Sequence, residues 1–215
     1  ASKKHELAIP NDVRELMAGG VAAAATHVSF QCEDIVQQLV GIMRSPSWAP
    51  GHVALGYEAS PVYGDYCHGE RMLRAQRQVG WEHGVLACTV FIDALAIDKG
   101  GFISDTGCHV TLANVRRRYR HDNTAKAPLC VMPSVDVTPS FRKRAPYTRF
   151  KRALLQWALQ KIFEPANEFN KRGGMILRVP GGAYVHFKRF LLLNLSADSP
   201  QAMQVAMTGS ACWEC

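Results

Sequence analysis

The chain contains no run of about eighteen uncharged apolar residues, the length a helix needs to cross a bilayer, so a membrane-spanning helix is not expected. VAAAATHVSF at 21–30, the longest apolar stretch near the start, is built of small residues and lacks the basic leader of a secretory signal. Internal repeats and low-complexity tracts are missing. There is no Gly-rich phosphate loop and no Gly-x-Ser-x-Gly elbow, which removes two common enzyme classes. Regular cysteine spacing is missing too. Cys32, Cys67, Cys88, Cys108, Cys130, Cys212 and Cys215 form an odd, uneven set. Without a leader, such a set favours free or metal-bound thiols in a reducing compartment over a disulfide framework. The expectation is a soluble protein with no membrane partner.

Acid is the scarcer charge: 18 Asp and Glu stand against 25 Lys and Arg, a net charge of +7. The excess is concentrated in RRRYRH at 116–121, FRKR at 141–144 and RFKR at 149–152. Any one cluster reads equally well as a solvated face. Three within a short span, interleaved with Tyr119, Phe141, Tyr147 and Phe150, favour a polyanion: cations for phosphates, aromatics for bases. Arg116, Arg117, Arg118, Arg120, Arg142, Lys143 and Arg144 are the candidate DNA-binding residues.

At 215 residues, 47% apolar and 20% charged, the chain can bury a core as one domain with an extension. Residues 11–43 carry apolar positions at helical spacing, broken at Gly19-Gly20, and 45–66 is rich in Pro, Gly and Ser. This predicts a mostly helical extension and loop over 1–62. A short helix follows at 69–79. Strands are expected at 85–93, 108–115 and 127–135, then an amphipathic helix at 148–163 ending before Pro165. A hairpin about Pro180-Gly181-Gly182 precedes a buried strand, RFLLLNLSAD, and a helix capped by Asp198 or Ser199.

Three strands on short loops are most simply antiparallel, and a crossover helix lets the fourth lie parallel to the first. That order predicts an α/β fold with a ribonuclease-H-like mixed sheet, occupying 63–215 as a partial core. It also addresses LACTVFIDALAID at 86–98, where an apolar strand carries an acid, Asp93. If the first and fourth strands are parallel neighbours, Asp93 and Asp198 end at one edge of the sheet, where open α/β sheets place their chemistry. Two adjacent carboxylates repel unless a cation lies between them, and magnesium or manganese fits oxygen ligands. A metal pair about 4 Å apart can then drive phosphodiester displacement. Separately, each acid has a plain structural reading, as a strand end and a helix cap. Asp98 competes for the first role but looks like a turn residue before Lys99-Gly100-Gly101.

VYGDYCHGERMLRAQRQV, VFIDALAIDKGG, HVTLANVRRRYR, GGMILRVPGGAYVHFKRFLLLNLSAD and SPQAMQVAMTGSACWEC, in this order, resemble blocks of the Plavaka-group cut-and-paste DNA transposases, related to CACTA and KDZ-type elements. The resemblance covers about 63–215. It implies that Asp93 and Asp198 are the first two members of a DDE triad holding magnesium or manganese, and that DNA is the substrate in a nuclear, homo-oligomeric complex. The family's third acid lies beyond its Cys-x-x-Cys, so the chain reads as the front of a core, a fragment whose activity depends on further sequence. A non-catalytic DNA- or zinc-binding remnant is the alternative. Cys212 and Cys215 supply half of a tetrahedral zinc site. Cys67-His68 or Cys108-His109 could complete it in space, and a pair of reduced thiols is the other reading.

Overall fold

The computed structural model describes residues 2–15, 17, 26–60, 64–96, 104–120, 123–135, 137, 140 and 144–197. Its elements are β1 (Lys3–Ala8), α1 (Asn11–Arg14), β2 (His27–Cys32), α2 (Ile35–Met43), α3 (Glu70–Val79), β3 (Gly84–Ala96), β4 (Ser104–Leu112), β5 (Lys126–Val131), α4 (Ala145–Lys171), β6 (Met175–Arg178) and β7 (Tyr184–Ala197). Short 3-10 turns lie at Tyr66–His68, Arg117–Tyr119 and Asn123–Ala125.

The protein is α/β, with a mixed sheet of seven strands in the order β1-β2-β5-β4-β3-β7-β6. β3, β4 and β5 pair antiparallel in succession, and β7 lies parallel to β3 after the α4 crossover. That is the pairing expected from the order of elements.

The first 62 residues depart from the expected helical extension. β1 and β2 form an antiparallel pair, and β2 joins β5 through the Cys32–Cys130 position. The physical reason is legible in HVSFQC: Val28, Phe30 and Cys32 are buried while His27, Ser29 and Gln31 are exposed, a period of two. Only α2 keeps a full helical stripe, burying Ile35, Val36, Leu39, Val40, Ile42 and Met43. Asp34 caps it, its Oδ1 accepting from the backbone N–H of Val36 (2.9 Å) and Gln37 (3.1 Å). Strands from both sides of residue 62 therefore share one sheet.

α4 also exceeds its expected end, running through Pro165 to Lys171. A helix-interior proline removes one backbone bond and usually costs about 3 kcal/mol. Here Ala166 and Phe169 are buried beyond it. Asn170 reaches the neighbouring strand, its Oδ1 accepting from Phe190 N–H at 2.7 Å. Tertiary packing holds the turns that local propensity would release. The expected hairpin and fourth strand likewise merge, because β7 is both the second arm paired with β6 and the strand paired with β3. Its turn uses Gly181 and Gly182 at φ 94° and 90°, values that favour glycine.

The main core packs α2 and α4 on one face of the sheet, against Val90, Ile92, Val110 and Leu112. On the other face α3 sets Met72 and Ala75 against Val85, Ala87, Ala113 and Leu191. Asn114, wholly buried, ties the loop before α3 to β3. Its Oδ1 accepts from Ala87 N–H at 2.7 Å, and its Nδ2 donates to the carbonyls of Ala54 (2.7 Å) and Val85 (2.9 Å).

Two stability experiments follow from this packing. Asn114→Ala leaves three backbone groups without their amide partner and should lower the unfolding free energy by about 3 kcal/mol in urea titrations. Burial also pushes the Cys88 thiol well above its ordinary value. The unfolded thiol ionises from about pH 8.5 while the folded one keeps its proton, so its contribution to stability falls as pH rises through that window, by up to about 1.4 kcal/mol per pH unit. Cys88→Ala should flatten the decline measured between pH 8 and 10.

Candidate functional site

Successive residues of β3 point to opposite faces. Cys88, Val90 and Ile92 enter the main core, whereas Thr89, Phe91 and Asp93 face the α3 side. α3 covers only the first part of that face. Beyond it lies a cleft of about 720 Å³, lined by Thr89, Phe91 and Asp93 of β3, His109 and Thr111 of β4, Lys126 of β5, and Ser196 and Ala197 of β7. The register places Phe91 opposite His109, Thr89 opposite Thr111, and Thr111 opposite Lys126. Asp93 and Phe91 are exposed. No ion pair to Asp93 forms among the described residues, and it lines the cleft. The buried hydroxyl of Thr111 has no hydrogen-bond partner among the described residues.

The far wall comes from two loops that Asp65 fastens together. Its carboxylate accepts from the backbone N–H of Tyr66 and Arg117, each at 2.7 Å, and pairs with the Arg120 guanidinium. Arg120 also donates through Nε to the Val115 carbonyl at 2.6 Å and lies over the Tyr66 ring. Burial works against its charge, and the Asp65 carboxylate offsets that cost. Arg120 is thus an internal strut that also borders the cleft.

The other predicted cations divide by environment. Arg116 is tied inward, with Nε to the Gly51 carbonyl (2.8 Å) and Nη1 and Nη2 each 2.8 Å from the Glu58 carboxylate. Arg117 and Arg118 are exposed, the first at the cleft and the second over the Tyr119 ring. Arg144 is exposed where α4 begins and does not line the cleft. Arg142 and Lys143 lie outside the described residues, as do Asp98, Asp198, Ser199, Cys212 and Cys215.

Three of the four aromatics expected to stack on bases are otherwise engaged. Phe150 is buried on the core face of α4, Tyr119 stacks on His52 at 3.7 Å, and the Tyr147 hydroxyl donates to the Val135 carbonyl. Helical spacing puts Phe150 in line with Leu154, which turns it inward. Phe141 lies outside the described residues. Phe91, which the sequence reading treated as a strand residue, is the aromatic exposed in the cleft.

A second group of chemical donors sits beside the Asp65 loop. Glu58, Cys67 and His68 each offer an atom within 4.8 Å of the others and could hold a metal ion. The sequence reading picked out Cys67-His68 but missed Glu58, Asp65 and Lys126. Their signal was weak, an acid before an aromatic in a Gly-rich loop and a lone lysine. Comparison of the chain with protein-family models, curated proteins and solved structures gives no match.

Asp65→Asn should leave the Arg120 charge poorly compensated and cost about 3 kcal/mol of stability. Arg117→Ala, at an exposed position, should stay within about 0.5 kcal/mol of wild type. Paired urea titrations read both.

Proposed function

We propose that the cleft is the front of a ribonuclease-H-like nuclease core of a DNA transposase, in which Asp93 and Asp198 together hold magnesium or manganese. The observation that carries the proposal is the parallel pairing of β3 with β7 up to Ile92 opposite Ala197. Asp93 is the next residue of one strand, and Asp198 follows Ala197 in the sequence. Two carboxylates at the ends of neighbouring parallel strands would suit hard divalent cations. Cations so held would activate a water or a 3′ hydroxyl and stabilise the leaving oxygen of a phosphodiester.

The cleft walls support the same substrate. Arg117 and Lys126 offer positive charge for phosphates, and exposed Phe91 offers a flat face to an unpaired base. Arg118 and Arg144 extend the positive surface outside the cleft, with Arg142 and Lys143 assigned to DNA by their sequence cluster. Together with the transposase-like motifs, these features favour DNA-strand hydrolysis and strand transfer in the nucleus, in a complex holding more than one copy. Zinc at Cys212 and Cys215 belongs to the same resemblance. The resemblance assigns no residue of this chain to the third acid of the triad. The cations of the cleft wall do not depend on that acid, which favours a non-catalytic DNA-binding remnant as the second reading.

Nicking of supercoiled DNA in magnesium or manganese separates the two. Asp93→Ala should lose cleavage by at least the roughly 100-fold that removing even an outer partner of a metal ligand can cost, with DNA binding retained. Lys126→Ala should lower the slope of log affinity against log salt by about 1 without changing sequence preference. Salt-sensitive binding with no nicking in either metal would leave the remnant reading; neither binding nor nicking would remove both.

A further inference from the structure

The cluster beside the Asp65 loop carries an inference independent of the cleft. We propose that Glu58, Cys67 and His68 form a zinc-type site, with one thiolate, one imidazole nitrogen and one carboxylate oxygen as ligands. The 3-10 turn Tyr66–His68 delivers Cys67 and His68 as consecutive residues. Glu58 is held against them by its own backbone N–H, which donates to the Cys67 carbonyl at 3.0 Å. The Cys67 sulfur lies 3.9 Å from Glu58 Oε2.

Part of this arrangement has an ordinary explanation. Cys67 is 1% exposed, as buried thiols often are, and Glu58 pairs with Arg116. His68 resists that explanation: its Nδ1 is buried and has no hydrogen-bond partner among the described residues. A buried ring nitrogen without a partner is costly, and a metal ion is one group that would satisfy it.

The donor set selects the ion. Magnesium and calcium prefer oxygen ligands throughout, whereas a mixed sulfur, nitrogen and oxygen set suits zinc. Tetrahedral zinc, with its sulfur bond near 2.3 Å and its nitrogen and oxygen bonds near 2.0 Å, sets neighbouring ligand atoms about 3.5 Å apart. The ligand atoms lie within 4.8 Å of one another, so the contraction needed is at most about an ångström. The exposed side of the turn can supply it, since His68 and Glu58 are both only half-buried. Binding replaces the S–H bond of Cys67 with a zinc–sulfur bond and releases that proton to solvent. The thiolate and carboxylate balance the charge of the ion. Arg116, already bonded to both oxygens of Glu58, becomes the outer partner that orients the ligating carboxylate. Three protein ligands leave a fourth position for water.

Although an open fourth position is the pattern of catalytic zinc, the first effect of an ion here would be on the turn. Asp65 lies two residues before Cys67, and the whole turn hangs on its bonds to Tyr66, Arg117 and Arg120. An ion at the Glu58 group would lock that turn and hold the far wall of the cleft in place.

Cobalt titration of the metal-free full chain tests the proposal. One equivalent of Co²⁺ should give a thiolate-to-cobalt charge-transfer band and tetrahedral visible bands, both removed by Zn²⁺. Cys67→Ser should abolish the charge-transfer band, and His68→Gln should weaken cobalt binding at least tenfold. Asp93→Ala and the double variant Cys212→Ser/Cys215→Ser should leave the band unchanged. Zinc-edge absorption of the Cys212→Ser/Cys215→Ser chain at one equivalent, which leaves the proposed ligands untouched, should show a single sulfur among nitrogen and oxygen ligands. A band that survives Cys67→Ser, its loss in the Cys212/Cys215 double variant, two or more sulfurs at the zinc, or no stoichiometric binding would each overturn the proposal.

Discussion

The side-chain amide of Asn114 commits its full donor capacity and its carbonyl oxygen to backbone groups, and much of the molecule takes its position from those bonds. One oxygen and one nitrogen join three strands of chain that are far apart in sequence: the loop at Ala54, the start of β3 at Val85 and Ala87, and the end of β4. The Ala54 N–H returns the connection by donating to the Asn114 carbonyl at 2.8 Å. A buried amide with every group satisfied admits one arrangement of its neighbours, because any displacement strands a polar atom in a low-dielectric interior. Two residues later Arg116 repeats the link, its N–H donating to the His52 carbonyl. The irregular residues 51–58, before α3, are therefore fixed by polar bonds to the sheet and the residues that follow β4.

From that anchor the electrostatics of the cleft follow in sequence. Holding residues 52–58 against β4 sets Glu58 against Arg116, and the turn after it sets Asp65 against Arg120. Two of the four arginines in the RRRYR run are thereby neutralised internally. The remaining two, Arg117 and Arg118, are left facing outward. The charge at the cleft is thus a selected part of the net excess in the chain. Opposite it stands Asp93, on a strand whose other face is packed into the main core, so its position is as rigid as the sheet.

The sheet itself was readable in the sequence where periodicity was unambiguous. The antiparallel run of three strands, the crossover helix and the parallel return follow from apolar patterns and loop lengths. β2 was hidden because HVSFQC follows a run of alanines and precedes a true helix, and helical spacing absorbed it. The extension of α4 past Pro165 was hidden because its support, Phe169 in the core and Asn170 on β7, is tertiary. At the candidate site, the strand-borne acid was legible as an interruption of an apolar run. Asp65, Glu58 and Lys126 were not, since their roles depend on partners 50 to 60 residues away or on a cross-strand neighbour. The basic run was legible only as a sum. Which arginines turn inward is decided by two carboxylates in a loop with no periodic pattern.

β7 is long, and its ladder with β3 is interrupted twice, between Gly84 and Val85 and between Cys88 and Thr89. Each interruption inserts an extra residue on β7 and resets the alternation of its side chains. The two insertions together add two residues, so the hairpin arm and the arm that reaches the cleft keep the same alternation relative to β3, and only the stretch between them is shifted. The Pro180–Gly182 tip lies beyond both interruptions from Ser196 and Ala197, at the far end of the strand from the cleft. That tip is a natural place to graft a foreign peptide or label, and a tolerant one for evolutionary drift.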